Sequence, residues 1–321
     1  MTRRIDISYR TIIFIAVFLL SLWILFLIRD IILLVFVAFI VMSALYPIVN
    51  KLNSWQIPKT LSVLLTFFTV MGILVAVITL GFTPLISETS NLTTRLADAL
   101  SALLQVSLLD QSIIRQEMSK ISGQLLNITF DVLRDLIALV SILVITIYML
   151  LDREKIENYA TSFFGVRQEK VQKILRLVEE KLGAWLRGQV VLSLLIGAMT
   201  YAGLLILGVE FALPLAILAG LLEVVPVIGP IIAAIPAVLL ALTVSPFQAG
   251  LVTGLYVAIQ QLEGHVVVPQ VMRRAVGLNP LLVILAISVG GRLLGIGGAL
   301  LAVPIAVVIQ LVLQETLKVE E

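Results

Sequence analysis

Apolar residues fill Ile12–Ile28 and Ile31–Val49, with only Arg29-Asp30 between the two runs. A helix needs about 20 apolar residues to cross a bilayer, so the pattern predicts two spans joined by a tight charged tip. Pro47, Lys51, Pro58 and Lys59 mark the next loop, and Thr60–Leu85, ending at Pro84, reads as a third span. From Glu88 to Asp135 the pattern changes. Leu92, Leu96, Leu100 and Leu103 recur at helical spacing among charges, as do Ile114, Met118, Ile121 and Leu125, which predicts amphipathic helix outside the bilayer core. Leu136–Leu151 is a short fourth span. Asp152–Arg187 is amphipathic again, with Val171, Ile174, Leu175, Val178 and Leu182 on one stripe.

From Gln189 to Gln314 the chain is almost pure hydrocarbon; its charged residues are Glu210, Glu223, Glu263, Arg273, Arg274 and Arg292. This stretch is broken twice, at Glu223-Val-Val-Pro226-Val-Ile-Gly229-Pro230 and at Gly290-Gly291-Arg292-Leu-Leu-Gly295-Ile-Gly297-Gly298. Broken helices free backbone groups in a medium without water, which is tolerated only against protein or a wet cavity. Each half then reads as a span followed by a broken hairpin: Gln189–Leu207 with Phe211–Val244, and Phe247–Leu262 with Asn279–Leu313. Re-entrant hairpins from opposite faces would form an inverted repeat whose tips meet near the midplane. The plainer alternative is two full spans per hairpin, joined by a Pro/Gly turn.

Composition agrees with a membrane chain. Of 321 residues, 60% are hydrophobic and 13% charged, against about 25% charged in soluble domains, and the mean hydropathy is +1.13. The expected fold is therefore an all-α polytopic membrane protein. It divides into residues 1–85 (three spans), 86–135 (extracytoplasmic amphipathic segment), 136–151 (fourth span), 152–187 (cytoplasmic amphipathic segment) and 188–321 (transport region). A net charge of +2 gives no reason to expect nucleic acid, and the absence of cysteine excludes disulfides and thiolate metal sites. Basic residues are denser in Asp152–Arg187 than in Glu88–Asp135. By the positive-inside rule, the N-terminus, the Lys51/Lys59 loop, Asp152–Arg187 and the C-terminus are expected in the cytoplasm.

Glu223 stands inside apolar sequence, where a carboxylate costs about 2.5–3.5 kcal/mol on insertion scales. It must be protonated, paired or facing water. It is a candidate proton- or cation-coupling group; the alternative is a carboxyl hydrogen-bonded to backbone freed near Pro226. Gln260, Gln261 and Glu263 form a second polar cluster, which an interfacial position would also explain. Arg292 could neutralise either glutamate or snorkel from a hairpin tip. The clustered glycines could equally serve close helix packing. His265 stands alone and makes a poor metal ligand, since a site needs several donors at suitable spacing. The sequence contains no Gly-x-Ser-x-Gly, His-Glu-x-x-His or Gly-x-x-x-x-Gly-Lys pattern. No enzyme, metal or cofactor is expected, and any uphill transport would draw on an ion gradient.

Four motifs in this order, Glu223-Val-Val-Pro-Val-Ile-Gly-Pro230, Gln260-Gln-Leu-Glu-Gly-His-Val-Val-Val-Pro269, Val276-Gly-Leu-Asn-Pro280 and Gly295-Ile-Gly-Gly-Ala-Leu-Leu-Ala-Val-Pro304, resemble the autoinducer-2 exporter (AI-2E) family. The resemblance implies a multi-pass inner (plasma) membrane transporter with about eight membrane segments. It implies a homo-oligomer, a pentamer among the candidate stoichiometries. The substrates it implies are an autoinducer-2-like small polar solute, exported, or monovalent cations and protons, exchanged. The matching positions are Pro226, Gly229, Pro230, Gln260, Glu263, Pro269, Pro280, Gly295, Gly298 and Pro304. All of these except Pro269, together with Glu223, Gln261, Asn279, Gly291 and Arg292, make up the candidate pathway. Many relatives carry histidine where this chain has Asn279, so a mechanism titrating a histidine there is not supported here. A channel-like or scaffolding membrane protein is the alternative function.

Overall fold

A computed structural model describes residues 9–104, 138–225, 228–272 and 279–317, with the backbone alone for 82–104, 269, 272, 280 and 296. Every regular element among these residues is helical. Helix α1 (Tyr9–Leu27) and α2 (Arg29–Ser54) are separated by Ile28 alone, as the charged tip predicts. Arg29 lies against Asp30 at 3.6 Å and over the Phe26 ring at 4.4 Å. Helix α3 (Lys59–Leu104) passes through position 84 and runs on into the amphipathic region. Pro84 does not end it. A proline removes one helical hydrogen bond, and one such loss is tolerated when neighbouring groups re-satisfy the backbone. Helix α4 (Ala138–Leu151) ends where Lys59 Nζ donates to the Leu151 carbonyl at 2.9 Å.

Helix α5 (Arg153–Ser162) folds back along the start of α6 (Gln168–Ile206). Arg153 makes a forked pair with Glu179, its Nε 2.8 Å from Oε1 and its Nη2 2.9 Å from Oε2, and stacks over Tyr46 at 4.3 Å. Glu157 accepts from Arg176 Nε at 2.6 Å. Helix α6, 39 residues long, carries the amphipathic stripe directly into the apolar span. The composition boundary at residues 187/188 falls inside one helix.

The crossing of α2 and α6 has a specific cause. Pro47 sits inside α2 and has no N–H, so the carbonyl four residues earlier, on Ser43, loses its in-helix donor. Arg187 Nη1 donates to that carbonyl and to Ala44 O, each at 3.3 Å. One turn away Gly183 lies so close to the Ser43 carbonyl that a side chain there would collide with it.

The last third forms two hairpins. Helices α7 (Ala212–Leu222) and α8 (Ile228–Val244) are the arms of the first. Helix α9 (Pro246–Leu262) starts at a Ser245 cap, whose hydroxyl accepts from Gln248 N at 3.1 Å. Their shared core includes Leu204, Leu215, Ala219, Ala233, Ala237 and Val252. After α9 come a π-turn (Glu263–Val267) and the short α10 (Val268–Met272). Helix α11 (Pro280–Leu317) is two helices broken at Gly295, whose φ of 63° and ψ of −145° suit glycine alone. Its arms double back, and Gly290 and Gly298 meet backbone to backbone. Val283, Ile287, Leu301 and Val308 pack on Val178, Leu182, Trp185 and Ile40 of α6 and α2.

Among the described residues five helices are long and apolar enough to cross a membrane, while Ala138–Leu151, Ala212–Leu222, Ile228–Val244 and Leu281–Gly295 are shorter apolar helices. At about 1.5 Å per residue, the 11 residues of α7 reach about half of a 30 Å hydrocarbon core.

Candidate functional site

The tip of the first hairpin is built by backbone proximity. Gly229 approaches the Leu222 carbonyl so closely that no other residue fits. Pro230 and Gly229 are buried there; Pro226 lies outside the described residues. Glu223, at the C-terminal end of α7, is completely buried. On the facing helix Gln189 is also buried, and its Nε2 donates to the Glu223 backbone carbonyl at 2.9 Å. Glycine contacts set the spacing of these two helices: Gly220 faces the Ser193 carbonyl and Gly197 the Ala216 carbonyl.

Glu263 enters from a third direction. It begins the π-turn, where one widened helical turn redirects the chain, and it is 3% exposed. Its Oε2 accepts from Gln260 Nε2 at 3.1 Å. The Glu223 and Glu263 carboxyls lie within reach of each other's charge. No N–H or hydroxyl donor among the described residues reaches either Glu223 oxygen; the group beside them is the Glu263 carboxyl, which can pair with Glu223 by sharing a proton. None of the ion pairs among them involves either acid.

The two acids, read from sequence as separate clusters, thus form one site with Gln260 and Gln189. In the sequence Gln189 marks only where the apolar run begins. Its signal was a lone amide on an otherwise apolar helix. Gln261 points away, exposed, its carbonyl 2.9 Å from His265 Nδ1. Arg292 is exposed on the other hairpin, and no ion pair among the described residues joins it to either glutamate.

The remaining candidates build the second hairpin. Asn279 caps its first arm, Oδ1 accepting from Leu281 N at 2.9 Å, with Pro280 in the first helical position, where a missing N–H costs nothing. Gly291 faces Ala299, Gly295 makes the turn, Gly298 meets Gly290, and Pro304 is buried within the second arm. Arg273 and Arg274 lie outside the described residues.

Residues 12–318 match the profile described as AI-2E family transporter. The chain belongs to the AI-2E transporter family. A Mycobacterium tuberculosis protein provisionally named a transport protein is 30% identical over 92% of this chain and 86% of its own length. YueF of Bacillus subtilis, named in the same provisional way, is 28% identical over 82% of this chain and 78% of its own. The AI-2 transport protein TqsA of Escherichia coli is 27% identical over 85% of this chain and 82% of its own. AI-2E membership makes the chain a multi-pass membrane protein of a transport family.

Proposed function

We propose that this AI-2E protein is a secondary transporter working by alternating access, with Glu223 and Glu263 as its coupling groups. The observation that carries the reading is the pair itself: two buried carboxyls, one at a broken helix and one at a π-turn, near enough to feel each other's charge. Like charges this close in a low-dielectric site are stable only with a proton or a cation between them. A group that must bind and release such an ion as its surroundings change is what coupling to a gradient requires. The transported species under this reading is a small polar solute, for which the name of the Escherichia coli relative supplies autoinducer-2, or a monovalent cation exchanged for protons. The positive-inside assignment puts both termini and the α5–α6 hairpin in the cytoplasm of a plasma-membrane protein.

The test is flux through purified protein in proteoliposomes, against autoinducer-2, sodium and protons. Glu223→Gln should abolish the dependence of flux on a pH gradient while the protein stays folded. Unchanged flux and unchanged coupling would remove Glu223 from the mechanism. Counterflow separates the carrier from a channel, which conducts faster and shows none.

A further inference from the structure

Buried hydroxyls in helices ordinarily donate to a carbonyl one turn back. Thr66, Thr146, Thr161 and Ser43 all do so here, at 2.7–2.9 Å. Ser193 and Thr200 of α6 do not. Among the described residues seven buried side-chain atoms lack a hydrogen-bond partner, and six of them belong to Ser193, Thr200, Glu223, Gln248 and Tyr256. Thr200 and Glu223 are fully buried and Tyr256 is 7% exposed.

These groups are not scattered. Gln189, Ser193 and Thr200 are spaced i, i+4 and i+11, on one face of α6. Tyr256 and Gln260 are spaced i and i+4, on one face of α9, and Glu263 follows as the first residue of the π-turn. The two helices run antiparallel, in register through the Gly203–Leu255 contact and the Leu192, Ile196, Ile259 cluster. Thr200 and Tyr256 therefore stand at one level, and Gln189, Glu223 and Glu263 at another about 16 Å along α6. Gln248 closes the far end, its Nε2 on the Leu207 carbonyl at 3.0 Å and its Oε1 without a partner. Each unpaired buried group is costly, because it has given up water without gaining a partner. Aligned along the whole bundle, they have a common remedy in water, the smallest molecule that can satisfy them all.

We propose that these residues line a hydrated path, internal to one protomer, along which water and the protons it carries reach the Glu223–Glu263 pair from the Gln248 end. Its purpose rests on the transport reading; its existence does not, and is tested without measuring transport.

The chain has no cysteine, so single cysteines can be placed cleanly at Ser193, Thr200 and, as a control, Ile196. Ile196 lies on the same helix, 1% exposed, in apolar packing. The full-length protein in proteoliposomes is exposed to silver ions, and the remaining free thiol is counted after denaturation. Ser193→Cys and Thr200→Cys should react at least tenfold faster than Ile196→Cys. Equal rates at all three positions overturn the proposal, whatever flux the protein supports. Adding Thr200→Val to Ser193→Cys should slow the silver reaction several-fold, because the methyl blocks the file; an unchanged rate means Ser193 is reached otherwise, and the connected path falls. If Thr200→Cys elutes as aggregate, Tyr256→Cys replaces it. Reactive cysteines beside an uncoupled Glu223→Gln result of no effect would keep the path and sink the coupling role.

Discussion

The α2–α6 crossing offers a test of cause as well as contact. Replacing Arg187 by alanine removes the donor that satisfies the Ser43 carbonyl, which Pro47 has deprived of its helical partner. A hydrogen bond from a charged group contributes about 1.5–3 kcal/mol, and the carbonyl would be left unpaired among buried neighbours. Arg187→Ala should therefore destabilise by about 2–3 kcal/mol. Pro47 is exposed, so Pro47→Ala leaves no cavity, and it restores the missing N–H. In that background the Ser43 carbonyl no longer needs arginine, and Arg187→Ala should cost about 1 kcal/mol, for the lost Ala44 contact. The coupling of about 1–2 kcal/mol is measurable as thermal midpoints of purified protein in detergent, at about 2–4 °C per kcal/mol on the scale of mid-sized domains. Additivity of the two substitutions within about 0.5 kcal/mol would refute the reasoning, since it would mean that Arg187 does not answer the proline.

Gly229→Ala should prevent the first hairpin from closing and yield aggregated protein in size exclusion, whereas Gly250→Ala, with open space around it, should elute normally. Gly295→Ala meets no obstacle but must hold φ at 63°, so about 1–3 kcal/mol of strain should lower the thermal midpoint, while Gly297→Ala should not. Arg153→Ala strands the buried Glu179 and should destabilise by about 3 kcal/mol; Lys155→Ala breaks an exposed pair with Asp152 and should change stability by less than about 0.5 kcal/mol.

Much of the fold was legible because bilayer solvent imposes a simple rule on composition. The joint at Arg29-Asp30 and the two Pro/Gly interruptions fall where helices do end or turn. Continuity was less legible. Helix α6 changes from amphipathic to apolar at residues 187/188, and α3 from apolar to amphipathic near Pro84, without a backbone break. A change of environment alters which residues are favoured on a helix, not whether it continues. Pairing across the chain was not legible at all. Glu223 and Glu263 meet because α8 and α9 return the chain to its starting level, a result of helix lengths and of glycine contacts on α6. Gln189 carried too little contrast to stand out, since one amide in an apolar run is compatible with many positions.

The Gly183–Ser43 crossing has a mechanical consequence. It holds α6 in close backbone contact with α2, with Gln189 about 9 Å beyond it and the α5–α6 turn about 22 Å on the other side. A rigid helix pivoting there acts as a lever with a reduction of about 2.5. Displacing the α5–α6 turn by about 2.5 Å moves Gln189 by about 1 Å, enough to lose its 2.9 Å grip on the Glu223 carbonyl. A small push on the amphipathic end would thus unlatch the first hairpin's tip at the carboxyl pair.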